Sequence, residues 1–256
     1  MRNDPKNRFL KAFRKFHEMV LDAGLYTALS QVLLKLTSPG IPDIYQGQEL
    51  WDFSLVDPDN RRPVDFEYRR QVLQELETRI ESGDAALQEL ASQLGTAPRD
   101  PRLKFFVTWR TLQCRQMHEA LFQQGRYVPL EIEGDRAQHL CAFARHLDAA
   151  EDRPEQMAIV VVPRLLAQLT APSDKDAPAT VLLGATVWQG TSIVLPPGMP
   201  SVFQHWFTGQ TCPLDDQRLP ISDILADFPM ALLVAGDRSS RYEKTVAQTV
   251  LAECPR

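Results

Sequence analysis

The chain has 256 residues, 44% of them hydrophobic and 24% charged, with a net charge of −5. That is enough polypeptide for one large domain or two modest ones. The acidic balance gives no electrostatic ground for nucleic acid or an anionic membrane as partner.

The opening residues, MRNDPKNRF, are polar and lack the apolar run of a signal peptide. No stretch is expected to reach the length of a membrane span, so the chain is expected to be cytoplasmic. Cys114, Cys141, Cys212 and Cys254 stand far apart, with no C-x-x-C pair and no histidine at zinc-ligand spacing. They are expected to be reduced thiols, with no metal and no cofactor.

From residue 7 to residue 36, Phe9, Phe13, Phe16 and Val20 and then Leu25, Leu29, Val32, Leu33 and Leu36 recur at three- and four-residue steps. This predicts one or two helices, with a bend or break at Gly24. Residues 38–66 follow and are treated below. Val72, Leu73, Leu76 and Ile80 predict an amphipathic helix, Gly83-Asp84 punctuates it, and Leu87, Leu90 and Leu94 predict a second. Pro101 suits the first turn of a third helix that runs to Leu121-Phe122 and ends at Gly125.

Beyond Gly125 the period changes. Residues 127–132 and 139–145 predict a hairpin, and 157–162 (MAIVVV) a fully buried strand. Residues 166–179 read as the most mobile loop. Short strands are expected at 181–183, 192–195, 202–207 and 230–234, with a helical turn at 221–225 capped by Ser222. This spacing argues for an antiparallel β-sandwich over residues 126–256.

Residues 38–66, SPGIPDIYQGQELWDFSLVDPDNRRPVDF, organise the first half. Pro39-Gly40 breaks the helix and 41–45 predicts a short strand. Aromatic faces, carboxylates and guanidinium groups then crowd together, a mixture that suits the apolar faces and hydroxyl rim of a sugar. Asp57-Pro58, Asp59-Asn60 and Arg62-Pro63 predict fixed turns, with Arg61 and Arg62 holding Asp57, Asp59 or Asp65. Trp51 is open to two readings, a stacking platform or a hydrophobic plug, and Tyr45 to sugar contact or core.

The pattern G-x-P-x-x-Y-x-G-x-E, met at Gly40, Pro42, Tyr45, Gly47 and Glu49, resembles the eighth strand and following loop of the alpha-amylase superfamily, glycoside hydrolase family thirteen. The continuation LVDPDNRRPVDF is similar to the maltooligosyltrehalose synthases within it, and the similarity extends over nearly all of the chain. The resemblance implies the final helix-strand-helix part of a TIM-type (β/α)8 barrel with appended helices over residues 1–125, an α/β unit, followed by the all-β sandwich. It implies a maltooligosaccharide substrate, contacted from Tyr45, Glu49, Trp51, Asp57, Asn60, Arg61 and Arg62. The three catalytic carboxylates of the family would lie on upstream barrel strands, so the chain would hold no catalytic residue and need an N-terminal barrel segment as partner. A fragment of an alpha-glucan hydrolase, or a glucan-binding module with Trp188 on a loop near Gly190, are the alternatives; Trp109 and Trp206 fit core positions.

Overall fold

The computed structural model describes residues 7–151, 153–170 and 181–236. Cys254 and most of the 166–179 loop lie outside them.

Helix α1 (Arg8–Thr37) opens where the Asn7 side chain accepts the Leu10 N–H at 3.2 Å, and stops at Ser38, which Pro39 keeps out of helical geometry. It passes through Gly24 without a break, because the adjoining turns keep their hydrogen bonds and nothing crowds that position. At thirty residues it is long and apolar enough to cross a membrane by length and composition, contrary to expectation. Its second half is instead core, with Leu25, Leu29, Leu33 and Leu36 buried.

Helices α2 (Phe66–Glu81), α3 (Asp84–Gly95), α4 (Pro101–Met117) and α5 (Glu119–Gln124) follow. Asp65 caps α2 by accepting the Tyr68 N–H at 2.9 Å, and Asp100 caps α4 by accepting the Arg102 N–H at 2.9 Å.

The second half forms two antiparallel sheets among the described residues. In one, β1 (Arg126–Pro129), β3 (Leu140–Leu147), β4 (Gln156–Pro163), β9 (Ala231–Ala235), β6 (Val202–His205) and β7 (Thr211–Pro213) lie in the order β1-β3-β4-β9-β6-β7. In the other, β5 (Ser192–Val194) sits between β2 (Glu131–Glu133) and β8 (Arg218–Pro220). The expected hairpin is present as β1 against β3, with Tyr127 opposite Arg145, while β2 peels away to the small sheet. Strand β4 is buried along almost its whole length, as MAIVVV implied.

Three local expectations fail. Residues 181–183 form no strand: Gly184 (φ +65°) turns the chain into α7 (Gly184–Trp188), and its N–H donates to the Leu225 carbonyl. Ser222 does not cap α8 (Ile221–Ile224); Pro220 holds that position and the Ser222 hydroxyl donates to Asp223. The short α6 (Ala167–Thr170) lies where loop was expected.

The helices seal one side of the large sheet. Ser30 of α1 donates to the Pro163 carbonyl at the end of β4 at 2.8 Å. Arg110 of α4 and Trp206 exchange hydrogen bonds, Nη2 to the Trp206 carbonyl at 2.8 Å and indole N–H to the Arg110 carbonyl at 2.6 Å. Buried apolar residues form a single cluster from Tyr26 to Val234, crossing Gly125 without interruption.

His205, fully buried on β6, gives this core a pH dependence. Its Nδ1 accepts the Phe207 and Thr208 N–H groups at 3.2 and 3.4 Å, so the ring is held neutral with its proton on Nε2. Burial pushes its pKa from 6.5 down to about 4. The unfolded chain therefore takes up a proton first, and stability falls as pH drops from 6.5 towards 4, by about 3 kcal/mol in all. Urea unfolding of the parent and of His205→Asn across that window checks this: the difference between the two should shrink as pH falls. A constant difference would rule the titration out.

Candidate carbohydrate site

Residues 41–66 do not form a barrel strand in this structure. Ile41–Tyr45, expected as a strand, has no ladder partner among the described residues and crosses the groove between α1 and α4. There Ile44 and Gln48 close over Val32, Lys35, Lys104 and Thr108, leaving a cavity of about 30 Å³, room for roughly one water. Burial first, then neighbouring Lys35, pushes the Lys104 pKa down; its ammonium donates to the Leu50 carbonyl at 3.3 Å.

The turn after it is built by Gly47 and Arg69. Gly47 takes φ +90°, which favours glycine, and a Cβ there would press on Val64 Cγ2 at 3.0 Å. Arg69, on the first turn of α2, donates to the Glu49 carboxylate at 2.9 Å, the Gly47 carbonyl at 2.6 Å and the Asp65 carbonyl at 3.0 Å. Glu49 is half-buried, and its charge is already matched by Arg69.

Trp51 is seated as a plug. Its indole N–H donates to the Asp100 carbonyl at 3.2 Å, Lys104 lies 5.6 Å from the ring centroid, and the ring packs against the core. Tyr45 is exposed, so the core reading of this side chain does not hold.

The tip of the loop is held by its own charges. Arg61 pairs with Asp57, and Arg62 with Asp59, whose other oxygen accepts the Leu55 N–H at 2.8 Å. The arginines therefore scaffold the loop as expected, with Asp65 assigned to the cap of α2 instead. Asp57-Pro58 is a cis peptide, and 59–61 make one 3-10 turn. Asn60 is half-buried, with a buried Oδ1 that meets no donor within the described residues. Asp52 accepts the Ser54 N–H at 2.9 Å, which holds its carboxyl below the usual carboxylate range.

The structure thus brings Tyr45, Glu49, Trp51, Asp57, Asn60, Arg61 and Arg62 onto one loop packed against α1, α2 and α4. Sequence reasoning missed Arg69 and Lys104, whose partners lie 20 and 54 residues away. Trp188 does not belong to any surface site: it is completely buried, its N–H donating to the Leu182 carbonyl at 3.3 Å. A larger opening of about 490 Å³ lies between β7, β8 and α8, lined in part by Thr211, Cys212, Asp215, Pro220 and Asp223 and by none of the candidate sugar-contact residues. Among the described residues no group of three or more His, Cys, Asp or Glu could hold a metal ion.

No family model matches the chain. A protein of Mycobacterium tuberculosis (strain H37Rv), assigned as a maltooligosyl trehalose synthase, is 34% identical over 207 residues, covering 81% of this chain and 20% of that protein. The solved maltooligosyltrehalose synthase of Arthrobacter ramosus superposes with a TM-score of 0.63 at 28% identity, over 90% of this chain and 25% of that one. The chain is a homologue of one part of maltooligosyltrehalose synthase. A further solved maltooligosyl trehalose synthase shares the fold at 24% identity and a TM-score of 0.56. The chain thus spans about a fifth of the length of the curated synthases it matches, and it pairs helices with antiparallel sheets as the C-terminal part of such a synthase does.

Proposed function

We propose that the chain supplies the C-terminal part of a maltooligosyltrehalose synthase, an intramolecular transglucosylase that turns the reducing-end α-1,4 linkage of a maltooligosaccharide into an α,α-1,1 linkage. Residues 1–125 would be the closing segment of the catalytic barrel and residues 126–256 a β-sandwich domain, in a cytoplasmic enzyme of carbohydrate metabolism. The observation that carries this reading is the 34% identity sustained over 207 residues.

On this reading the loop at 41–66 is part of the mouth of the glucan site. Tyr45 lays its ring beside a sugar. Asp57 and Asn60 offer acceptors to hydroxyl groups, while Glu49, Trp51, Arg61 and Arg62 hold the loop in shape. The carboxylates that attack the anomeric carbon and protonate the leaving oxygen come from the barrel segment upstream, so the chain alone turns over no glucan.

A chimera tests this. The matched quarter of the Arthrobacter ramosus synthase is replaced by this chain and assayed on maltopentaose. Loss of reducing ends without shortening of the oligosaccharide is expected, and Tyr45→Ala should raise KM about tenfold with a smaller effect on kcat. New reducing ends would mark hydrolysis and refute the synthase reading.

A further inference from the structure

Lys104 carries a charge in a place that disfavours it. It stands on the first turn of α4, half-buried, and among the described residues it is in no ion pair. Burial, then Lys35 on α1, works against its ammonium, while Asp52 and Glu49 on the loop favour it. A cation kept half out of water needs compensating contacts. It makes two, the Leu50 carbonyl at 3.3 Å and the Trp51 ring, whose centroid lies 5.6 Å away. Both belong to the loop at 41–66 and neither to α4 itself. The residues beside them are held as firmly. The Asp100 carbonyl at the cap of α4 accepts the Trp51 N–H, and Arg69 on α2 grips the Gly47 carbonyl and the Glu49 carboxylate. Arg102 of α4 pairs with Glu75 of α2, which ties the two holding helices together. The Gln48 N–H donates to the Tyr45 carbonyl at 3.2 Å, so the exposed Tyr45 ring is carried by the turn so held.

We propose that Lys104 is a positioning residue of the glucan mouth: together with Arg69 it clamps residues 47–51 between α2 and α4, and so fixes the direction in which Tyr45 presents its ring. What Tyr45 contacts rests on the synthase reading; the clamp itself does not. A turn ordered before the sugar arrives leaves less ordering to be done on binding. Loss of the clamp therefore falls on affinity rather than on turnover, and it falls there through Tyr45. A lysine that only stabilised the fold would act on Tyr45 and on distant tryptophans alike.

The full chain labelled with fluorotryptophan gives the first readout. In Lys104→Met the Trp51 fluorine signal, identified by its loss in Trp51→Phe, should shift and broaden while those of Trp188 and Trp206 stay in place. Lys104→Arg, which keeps a cation over the ring, should leave all three as in the parent. If Lys104→Met also moves Trp188 and Trp206, Lys104→Gln is read in its place, with the same expectation for Trp51. A Trp51 signal indifferent to loss of the charge overturns the proposal. The chimera with the Arthrobacter ramosus synthase gives the second readout. There Lys104→Met should raise KM for maltopentaose about fivefold and change kcat by less than about twofold, with Lys104→Arg restoring KM. Tyr45→Ala/Lys104→Met should be no worse than Tyr45→Ala alone, because both changes act through one ring. Effects that multiply in the double variant, or a loss that falls on kcat, overturn the proposal. A chimera that only hydrolyses, with the Trp51 signal moved and the two substitutions still coupled, would leave the clamp standing and remove the synthase reading.

Discussion

Trp188→Ala should destabilise the protein by about 4 kcal/mol and leave any affinity for maltooligosaccharides untouched. The indole is the largest fully buried side chain, closed in beneath the α7–α8 packing, with its N–H on the Leu182 carbonyl. Truncation removes a large apolar volume and leaves that carbonyl without its donor, and both losses fall on one compact region. For a protein of this size, the melting temperature should drop by roughly 10 °C. Chemical denaturation and a glucan titration, run on the same sample, read the two halves of the prediction. A variant that melts like the parent but binds glucan more weakly would return Trp188 to the surface.

Arg145→Met is expected to lose about 3 kcal/mol. Arg145 is buried in β3, and its guanidinium donates to the carbonyls of Thr37 at 3.0 Å, Phe122 at 3.0 Å and Gly125 at 2.7 Å, with Leu121 more distant at 3.5 Å. These are the last carbonyls of α1 and α5, which helices leave without partners of their own. Burial, and then the nearby Arg115, work against the charged form. Removing the charge recovers part of that desolvation cost, which is why the expected loss is smaller than three broken charge-assisted bonds would give. Arg145→Lys should be nearly as damaging, because an ammonium cannot span carbonyls from two helices. Equal stability of the Met variant and the parent, by urea unfolding, would mean that desolvation outweighs the bonds.

Much of the helical half was legible because its signals are local. Pro101 marks a helix start whatever lies around it, and the 3.6-residue period of Leu87, Leu90 and Leu94 needs no partner to be read, whereas the caps Asp65 and Asp100 were not read as starts. The MAIVVV run likewise declares a strand buried on both faces. What could not be read depends on distant chain. Residues 41–45 carry a strand's composition, but a strand exists only through its neighbours, and here the segment packs on two helices instead. Trp188 looked surface-bound because Gly190 follows it; Gly184, which folds the preceding residues over it, is the feature that decides. β7 and β8 are three residues each, too short for alternation to register. At the site, the charge pairs at the loop tip are three and four residues apart and could be foreseen, whereas the hold of Arg69 on Glu49 could not.

Gly125 looks like the natural place to divide the chain, since helices precede it and sheets follow. Across that point the two halves nevertheless share one buried cluster. Gly95 on α3 sits so close to the Asp227 carbonyl that a Cβ would lie 2.5 Å away, and a Cβ on Gly125 would lie 3.3 Å from the His146 carbonyl of β3. Either piece expressed alone would present a broad oily surface in place of an interior, and a graft that exchanges only the sheets would have to inherit the matching helices with them.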